Sequence, residues 1–224
     1  MKGIAFDLYG TLFDIHSVIE ACKSITRDPE AFSKLWRTKQ LEYTFLRSLM
    51  EKYEDFWKVT EDALIFAINS FGIHASQDER EKLMQAYLHL KPFAEVEDAL
   101  KHLMNYELSV LSNGNPGMLN TLLENSGLKH YFKQILSADE VRIYKPFSKV
   151  YALAPRYLGV SKEEILFVSS NSFDVIGAKT FGFEVCWINR SGTILDELDI
   201  KPDVTAKSLD EMIDTLGIIS AEGE

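Results

Sequence analysis

The amino-acid sequence predicts an α/β protein: a Rossmann-like, doubly wound parallel sheet core with an inserted all-helical cap. From Pro92 onward, short apolar runs alternate with helical patterns. The runs are apolar at successive residues, which is typical of parallel strands buried on both faces. The residues between Phe13 and Leu90 contain no run of this kind. A chain of 224 residues is long enough for one such core with a sizeable insert.

Five apolar runs are the candidate strands, at residues 4–6, 108–111, 134–136, 165–168 and 185–188. Helical patterns separate the later runs, at residues 95–104, 117–125, 148–158 and 172–181. This alternation of strands and helices indicates a doubly wound sheet. Pro155 lies inside the third helical pattern, where its ring removes a backbone hydrogen bond, so we expect a kink there.

The stretch after the first strand predicts four helices, at residues 15–26, 30–52, 60–71 and 77–90. Ser76, with Glu79 three residues later, is a capping box that marks the start of the last of them. Because the stretch has no strand candidate, we expect residues 15–90 to form a helical cap domain. Residues 1–14 and 91–224 are then expected to form the α/β core.

The chain is acidic, with a net charge of −10 from 24 Lys and Arg against 34 Asp and Glu. This balance argues against nucleic acid or a membrane surface as a partner. An anionic substrate would therefore need a local cluster of positive groups. Only two cysteines, Cys22 and Cys186, are present, which favours a reducing, cytoplasmic location. Neither a signal-peptide core nor an apolar run of about 18 residues is apparent.

Polar residues follow the predicted strands at the point where each strand ends. In open α/β sheets, ligands bind outside the carboxyl ends of the strands. We therefore expect these side chains to meet in one crevice. They are Asp7 after the first strand, Ser112 and Asn113 after the second, Lys145 in the loop after the third, and Ser169, Asn171 and Asp174 around the end of the fourth.

These residues resemble the four motifs of the haloacid dehalogenase superfamily, in the same order. Residues 6–12 are similar to the first motif, Asp-x-x-x-Thr, and the other three correspond to Ser112-Asn113, Lys145-Pro146 and residues 169–174. Residues 35–44 and 168–171 resemble more narrowly the (S)-2-haloacid dehalogenases. The resemblance implies hydrolytic dehalogenation of (S)-2-haloacids to (R)-2-hydroxyacids plus halide, through an aspartyl ester and without a cofactor.

The resemblance also implies roles for individual residues. Asp7 would be the nucleophile, Lys145 the cation that keeps it ionised, and Arg37 the cation that receives the departing halide. Asp174 would activate the water that opens the ester. The halide site would be completed by Asn113 and Phe173. The substrate carboxylate would be held by Thr11, Ser112 and the N–H groups of Leu8, Tyr9 and Asn113. Two residues, Ser169 and Asn171, would place Asp174 and Lys145, and Tyr151 would face the site. An apolar wall would be formed by Tyr9, Leu41, Phe56 and Phe173.

Two alternatives remain open at the level of the sequence. One is a small-metabolite phosphatase of the same superfamily, and the other is a catalytically idle binding member. Phosphatases of this kind carry a second Asp two residues after the nucleophile, where this chain has Tyr9. Since a hard cation needs several carboxylates, Asp7 and Asp174 alone predict a poor Mg²⁺ site, and no metal is expected. The resemblance further implies a homodimer.

Overall fold

A six-stranded parallel sheet forms the centre of the protein in the computed structural model, which describes residues 1–218. Its strand order is β5-β4-β1-β6-β7-β8, and a separate antiparallel ribbon pairs β2 with β3. All five predicted strands are confirmed, whereas the ribbon and the last strand were not predicted. The strands are β1 (Gly3–Phe6), β2 (Phe13–Asp14), β3 (Lys91–Pro92), β4 (Glu107–Ser112), β5 (Gln134–Ser137), β6 (Ile165–Ser169), β7 (Glu184–Ile188) and β8 (Val204–Ala206).

The register of the sheet brings the predicted strand ends to one edge. Phe6, the last residue of β1, lies level with Val110 of β4 and Val168 of β6. Chain order reverses around β1, since β4 and β5 lie on one side and β6 to β8 on the other. The carboxyl end of β1 is therefore the switch point at which a doubly wound sheet opens a crevice. Asp7 is the first residue beyond it.

Ten α-helices accompany these strands within residues 1–218, and all of the predicted helical patterns have a counterpart. The predicted helix at residues 148–158 is interrupted at Ala152. The interruption follows from Pro155, which has no N–H to donate to the carbonyl of Tyr151 four residues earlier. The helices are α1 (Ile19–Cys22), α2 (Pro29–Leu49), α3 (Phe56–Ser70), α4 (Gln77–Ala86), α5 (Val96–His102), α6 (Pro116–Asn125), α7 (Ser148–Tyr151), α8 (Leu153–Leu158), α9 (Ser172–Phe181) and α10 (Leu209–Thr215).

The insert after β2 consists of α1 to α4, so the predicted helical cap is confirmed. Its first helix is shorter than expected, because residues 15–18 form a 3-10 turn capped by Asp14. Helix α3 begins at Phe56, four residues earlier than predicted, because Asp55 accepts hydrogen bonds from the N–H groups of Trp57 and Lys58. The Ser76–Glu79 capping box is present at the start of α4.

The two connections between the insert and the sheet run side by side as the β2–β3 ribbon. Phe13 pairs with Pro92 and Asp14 pairs with Lys91. The N–H of Phe93 also donates to the carbonyl of Leu12 (3.1 Å). The ribbon therefore lies directly after the loop that carries Asp7. No helix within residues 1–218 has the length and apolar character needed to cross a membrane.

Candidate active site

Asp7 is held by three side chains at the carboxyl end of β1. Its Oδ1 accepts a hydrogen bond from Lys145 Nζ (3.1 Å). Its Oδ2 accepts from Thr11 Oγ1 (2.8 Å) and from Asn171 Nδ2 (2.8 Å). The residue is only 5% exposed, so this carboxylate depends on protein groups for its solvation. The sequence predicted all four of these residues for the site, and the structure brings them together.

Lys145 places its ammonium between two carboxylates. Nζ lies 3.1 Å from Asp7 Oδ1 and 2.8 Å from Asp174 Oδ2, and the side chain is 1% exposed. Burial alone would lower the pKa of Lys145, but Asp174 and Asp7 outweigh burial and raise that pKa above its ordinary value. The backbone N–H of Lys145 donates to Asn113 Oδ1 (2.9 Å), which fixes the loop that carries the lysine. The amine is therefore charged throughout the neutral range.

Asp174 lies in the first turn of α9 and is completely buried. Tyr151 donates from its hydroxyl to Asp174 Oδ1 (2.7 Å), while Lys145 binds Oδ2. Burial raises the pKa of Asp174 to about 6; Lys145 opposes this rise and the charge of Asp7 adds to it. Burial and Asp174 also raise the pKa of Tyr151 well above its usual range. A carboxyl group with a pKa near 6 suits a base that works near neutral pH.

The two serines at the strand ends shape the neighbouring loops. Ser112 Oγ accepts the N–H of Gly114 (3.2 Å), and Ser169 Oγ accepts the N–H of Asn171 (3.1 Å). Ser169 thus holds the loop of Asn171, whereas no hydrogen bond from Ser169 to Lys145 or Asp174 is present within residues 1–218. In this turn Ser169 Oγ acts only as an acceptor, so its predicted role in placing Lys145 and Asp174 stays a prediction.

Three backbone N–H groups at the strand ends remain available to an anion. Within residues 1–218, those of Leu8, Tyr9 and Asn113 donate to no protein acceptor. The carbonyl of Leu8, in contrast, accepts from residues 11, 12 and 13, which curls the loop so that these amides are left free. Free amides beside Thr11 and Ser112 are the kind of cradle that binds a carboxylate. The sequence predicted these positions, and they follow β1 and β4, which are neighbouring strands of the sheet.

Tyr9 belongs to an aromatic wall between the sheet and the insert. Its ring lies 5.6 Å from that of Phe56, measured between centroids, and a Cβ at Gly114 would come within 3.0 Å of it. The hydroxyl of Tyr9 is buried and has no hydrogen-bond partner within residues 1–218. Burial raises the pKa of Tyr9 well above its usual range, and the nearby charge of Arg37 only partly opposes the rise. The hydroxyl is therefore a protonated donor without an acceptor.

The cap contributes Arg37 and Leu41 from α2, and Arg37 is near enough to Tyr9 for its charge to act on that side chain. Arg37 donates to Gln40 Oε1 (2.6 Å) and lines a cavity of about 450 Å³, with Lys34 at its rim. Leu41 is half-exposed on the same helix. Phe173, at the start of α9, meets α2 through an edge-to-face contact with Phe45 (5.3 Å between centroids). Within residues 1–218 Arg37 forms no hydrogen bond to Asp7, Lys145 or Asp174, and the places of Arg37, Leu41 and Phe173 around the substrate stay predictions.

Two residues that the sequence analysis did not identify support the site. Gln40 is buried in α2, where it accepts from Arg37 and donates to Thr60 Oγ1 (2.6 Å), which orients the guanidinium. Arg190 lies two residues after β7 and contacts the loop that follows Asp7. The strand-end rule that identified the other polar residues would also have found Arg190 had it been applied to β7.

The carboxylate donors do not fit a divalent metal ion. Within residues 1–218 no group of three or more His, Cys, Asp or Glu side chains could hold one. Asp7 and Asp174 both face Lys145, whose ammonium already occupies the space between them. A divalent cation between these carboxylates would lie against the lysine ammonium and be repelled by it, so the pair forms a poor Mg²⁺ site. The arrangement instead combines a buried carboxylate paired with a lysine and a second buried carboxyl group whose pKa is raised.

Comparisons with known proteins agree with this chemistry. Residues 1–182 match the family model for haloacid dehalogenase-like hydrolases. The chain is similar to an (S)-2-haloacid dehalogenase of Pseudomonas putida, at 46% identity with 95% of each chain covered. It is also similar to an (S)-2-haloacid dehalogenase of Pseudomonas sp. (strain YL), at 44% identity with 100% of this chain and 98% of the relative covered.

A solved structure gives the same result for the fold. It is the L-2-haloacid dehalogenase of Xanthobacter autotrophicus with chloropropionic acid covalently bound, which superimposes with a TM-score of 0.91 at 36% sequence identity. The match covers 97% of this chain and 98% of that one. With the family model, the relatives and this structure in agreement, the chain belongs to the haloacid dehalogenase-like hydrolases, within the family of the (S)-2-haloacid dehalogenases.

Proposed function

We propose that the protein hydrolyses (S)-2-haloacids to (R)-2-hydroxyacids and halide, through an ester formed on Asp7. The observation that carries this proposal is the buried cluster in which one lysine ammonium bridges Asp7 and Asp174. A buried carboxylate whose oxygens are fixed by a lysine, a threonine and an asparagine is well oriented to act as a nucleophile. The substrate, a small 2-halocarboxylate, and the departing halide are both anions. The positive charges of Lys145 and Arg37 would offset these negative charges.

In the first step, a carboxylate oxygen of Asp7 attacks C2 of the substrate as the carbon–halogen bond breaks. The new C–O bond forms from an Asp7 lone pair, and the halide leaves with the electrons of the broken bond. Because the departing halide needs no proton, this step requires no general acid. Tyr9 can therefore stand where the related phosphatases carry their second Asp. Attack from the side opposite the halide inverts C2, so an (S)-haloacid gives the (R)-configured ester. Arg37, Asn113 and Phe173 would receive the halide.

The substrate carboxylate needs compensation, because two carboxylates 4 Å apart repel by about 4 kcal/mol at an effective dielectric constant of 20. The free N–H groups of Leu8, Tyr9 and Asn113 would supply part of it. Ser112 borders the same cradle and would supply a hydroxyl contact, whereas the one hydroxyl proton of Thr11 is donated to Asp7 and holds the nucleophile instead. The apolar substituent of the substrate would then lie against the wall formed by Tyr9, Phe56, Leu41 and Phe173.

In the second step, water attacks the carbonyl carbon of the Asp7 ester. Asp174 accepts a proton from this water as the C–O bond to the carbonyl carbon forms. The bond between that carbon and the substrate oxygen then breaks, and the departing alkoxide takes the proton back from Asp174, which releases the (R)-2-hydroxyacid and regenerates both carboxyl groups; the acid formed on Asp7 loses its proton to solvent. Lys145, 3.1 Å from Asp7 Oδ1, stabilises the oxyanion that forms during the attack. Tyr151 and Asn171 hold Asp174 and Asp7 in place through their hydrogen bonds of 2.7 and 2.8 Å. Ser169 supports Asn171 from behind.

The experiment that tests this function measures halide release from each enantiomer of 2-chloropropionate by the purified protein. We expect turnover of the (S) enantiomer only, unchanged by a metal chelator, and none of p-nitrophenyl phosphate. Asp7→Asn should abolish halide release while the unfolding temperature stays close to that of the wild type. One turnover in ¹⁸O-labelled water should place the label in Asp7, which mass spectrometry of the peptide detects. Chelator-sensitive phosphatase activity without halide release would instead support the metabolite phosphatase.

We further propose that residues 15–90 form a cap domain on the core of residues 1–14 and 91–224, and that the protein is a cytoplasmic homodimer. The β2–β3 ribbon, which pairs Asp14 with Lys91, supports the domain division. Leu46, Leu49 and Met50 expose 42%, 81% and 57% of their surface at the end of α2, which supports pairing of two copies through the cap. Leu49→Glu should then halve the mass measured by light scattering.

A further inference from the structure

The guanidinium of Arg190 joins parts of the chain that are far apart in sequence. Its NH2 donates to the carbonyl of Thr11 (3.0 Å) and to Glu95 Oε1 (2.7 Å). Its NH1 donates to Ser170 Oγ (3.1 Å), with a longer contact of 3.5 Å to the carbonyl of Gly10. The side chain is 18% exposed, so these bonds are shielded from water. One side chain thus holds both loops that border Asp7.

These bonds reach the nucleophile through Thr11. The hydroxyl of Thr11 donates to Asp7 Oδ2 (2.8 Å) and accepts the N–H of Ser170 (2.9 Å). Arg190 binds the carbonyl of Thr11 and the side chain of Ser170, so it fixes both ends of this relay. A shift of the Thr11 peptide would rotate the oxygen with which Asp7 attacks, although Arg190 itself touches neither substrate nor Asp7.

The other face of the guanidinium contacts the chain that returns from the cap. Its central carbon lies 3.8 Å from the ring centroid of Phe93, and Nε also donates to Glu95 Oε1 (3.1 Å). Phe93 follows β3 directly and is bonded through its N–H to the carbonyl of Leu12. The nucleophile loop is thereby fixed against the chain that leaves the β2–β3 ribbon.

We propose that Arg190 is a positioning residue for Asp7, acting through the carbonyl of Thr11 and the side chain of Ser170. The proposal rests on the dehalogenase function proposed above. Only a planar guanidinium can bind two backbone carbonyls, a hydroxyl and a carboxylate while it stacks on an aromatic ring; a lysine ammonium offers three donors from a single point. Arg190→Lys should therefore retain the pairing with Glu95 and lose the fixed orientation of the loop.

The test compares Arg190→Gln with Glu95→Gln, each against the wild type. Glu95→Gln removes the charge partner of Arg190 and leaves its bonds to the two loops, so we expect its kcat for halide release within about twofold of the wild type. Arg190→Gln should lower kcat by about 10²-fold at saturating (S)-2-chloropropionate, since small misplacements of a reacting group cost this much. Arg190→Lys should fall between the two. Lys179→Gln, which breaks a half-buried pair with Asp203, controls for loss of an ion pair alone.

A second readout does not depend on turnover. Hydrogen exchange of the amides of residues 10–13, which are bonded within this loop, should be faster in Arg190→Gln and unchanged in Glu95→Gln. Equal losses of kcat in these two variants, or a kcat of Arg190→Gln within twofold of the wild type, would overturn the positioning role. If the wild-type protein releases no halide, the proposed function is refuted instead. The hydrogen-exchange rates then test Arg190 by themselves, and the positioning role is wrong if exchange is not faster in Arg190→Gln.

Discussion

Replacing Lys145 with Met removes the ammonium between the two carboxylates and keeps an apolar side chain of similar length. The contacts that are lost measure 3.1 Å to Asp7 and 2.8 Å to Asp174. At an effective dielectric constant of 20, each corresponds to about 5–6 kcal/mol of Coulomb attraction. Much of this attraction offsets the desolvation of three buried charges. The net cost of removing one partner from a buried pair is therefore about 3–5 kcal/mol.

We expect Lys145→Met to lower the unfolding temperature by on the order of 10 °C, as that free energy implies for a chain of this size. Catalysis should suffer more than folding. Without the ammonium, about 4 kcal/mol of repulsion between Asp7 and the substrate carboxylate is no longer offset. A loss of that size lowers the rate about 10³-fold. Scanning calorimetry and halide release from (S)-2-chloropropionate measure the two effects on the same sample.

The double variant Lys145→Met, Asp174→Asn separates these two causes. Removing the second charge leaves one fewer unpaired carboxylate in the interior, so stability should recover by about 2 kcal/mol or more relative to Lys145→Met. Activity should not recover, because both the cation and the base are then missing. The electrostatic account is wrong if Lys145→Met keeps both its unfolding temperature and more than a tenth of the wild-type kcat.

Three further predictions follow from the same site. The pKa of Asp174 is about 6, and a protonated carboxyl group cannot accept a proton from water. Ester hydrolysis should therefore slow as the pH falls through about 6 or below. Single-turnover release of the hydroxyacid, measured between pH 4.5 and 8, tests this loss of rate at low pH. Tyr9→Phe removes a buried hydroxyl without a partner, so it should raise the free energy of unfolding by about 1 kcal/mol in urea titrations; lower stability would show that the hydroxyl has an acceptor. Arg37→Lys cannot provide the fork that Gln40 orients and should slow halide release by about 10²-fold in stopped-flow measurements, with little change in unfolding temperature.

The sheet was predictable because five of its strands contain a short, mostly apolar run whose residues are largely buried. Burial on both faces leaves Ile4–Phe6 and its neighbours no other arrangement, and their polar ends must then lie at one edge. Strand β8 escaped prediction because Val204–Ala206 is only three residues long and half-exposed, so it forms no apolar run; its pairing with β7 defines it. Helix α1 is short because the Asp14 cap starts a 3-10 turn, a choice that apolar spacing does not encode.

The part of the site that could be predicted consists of charged and polar side chains that the sequence itself shows. Asp7 follows β1 directly, Lys145 lies in the loop region after β5 and Asp174 lies in the helix that follows β6, and the family resemblance gave each of them a role. The sequence marks Arg190 only as a polar residue two positions after β7. Its partner is the carbonyl of Thr11, and because any residue at position 11 offers that acceptor, the contact itself has no sequence signal. Gln40 was missed for a similar reason: a glutamine within a helix has no distinctive pattern until Arg37 and Thr60 are placed around it.

The charge of the central cluster changes during the proposed reaction, and this change favours each step in turn. Asp7, Asp174 and Lys145 carry one net negative charge, so an anionic substrate depends on Arg37 and the free amides for its attraction. Once Asp7 is esterified it is neutral, and Lys145 then pairs with Asp174 alone. Because the charge of Asp7 had helped to raise the pKa of Asp174, esterification lowers that pKa below about 6. Asp174 is therefore ionised in the intermediate at neutral pH, at the stage where a base is needed.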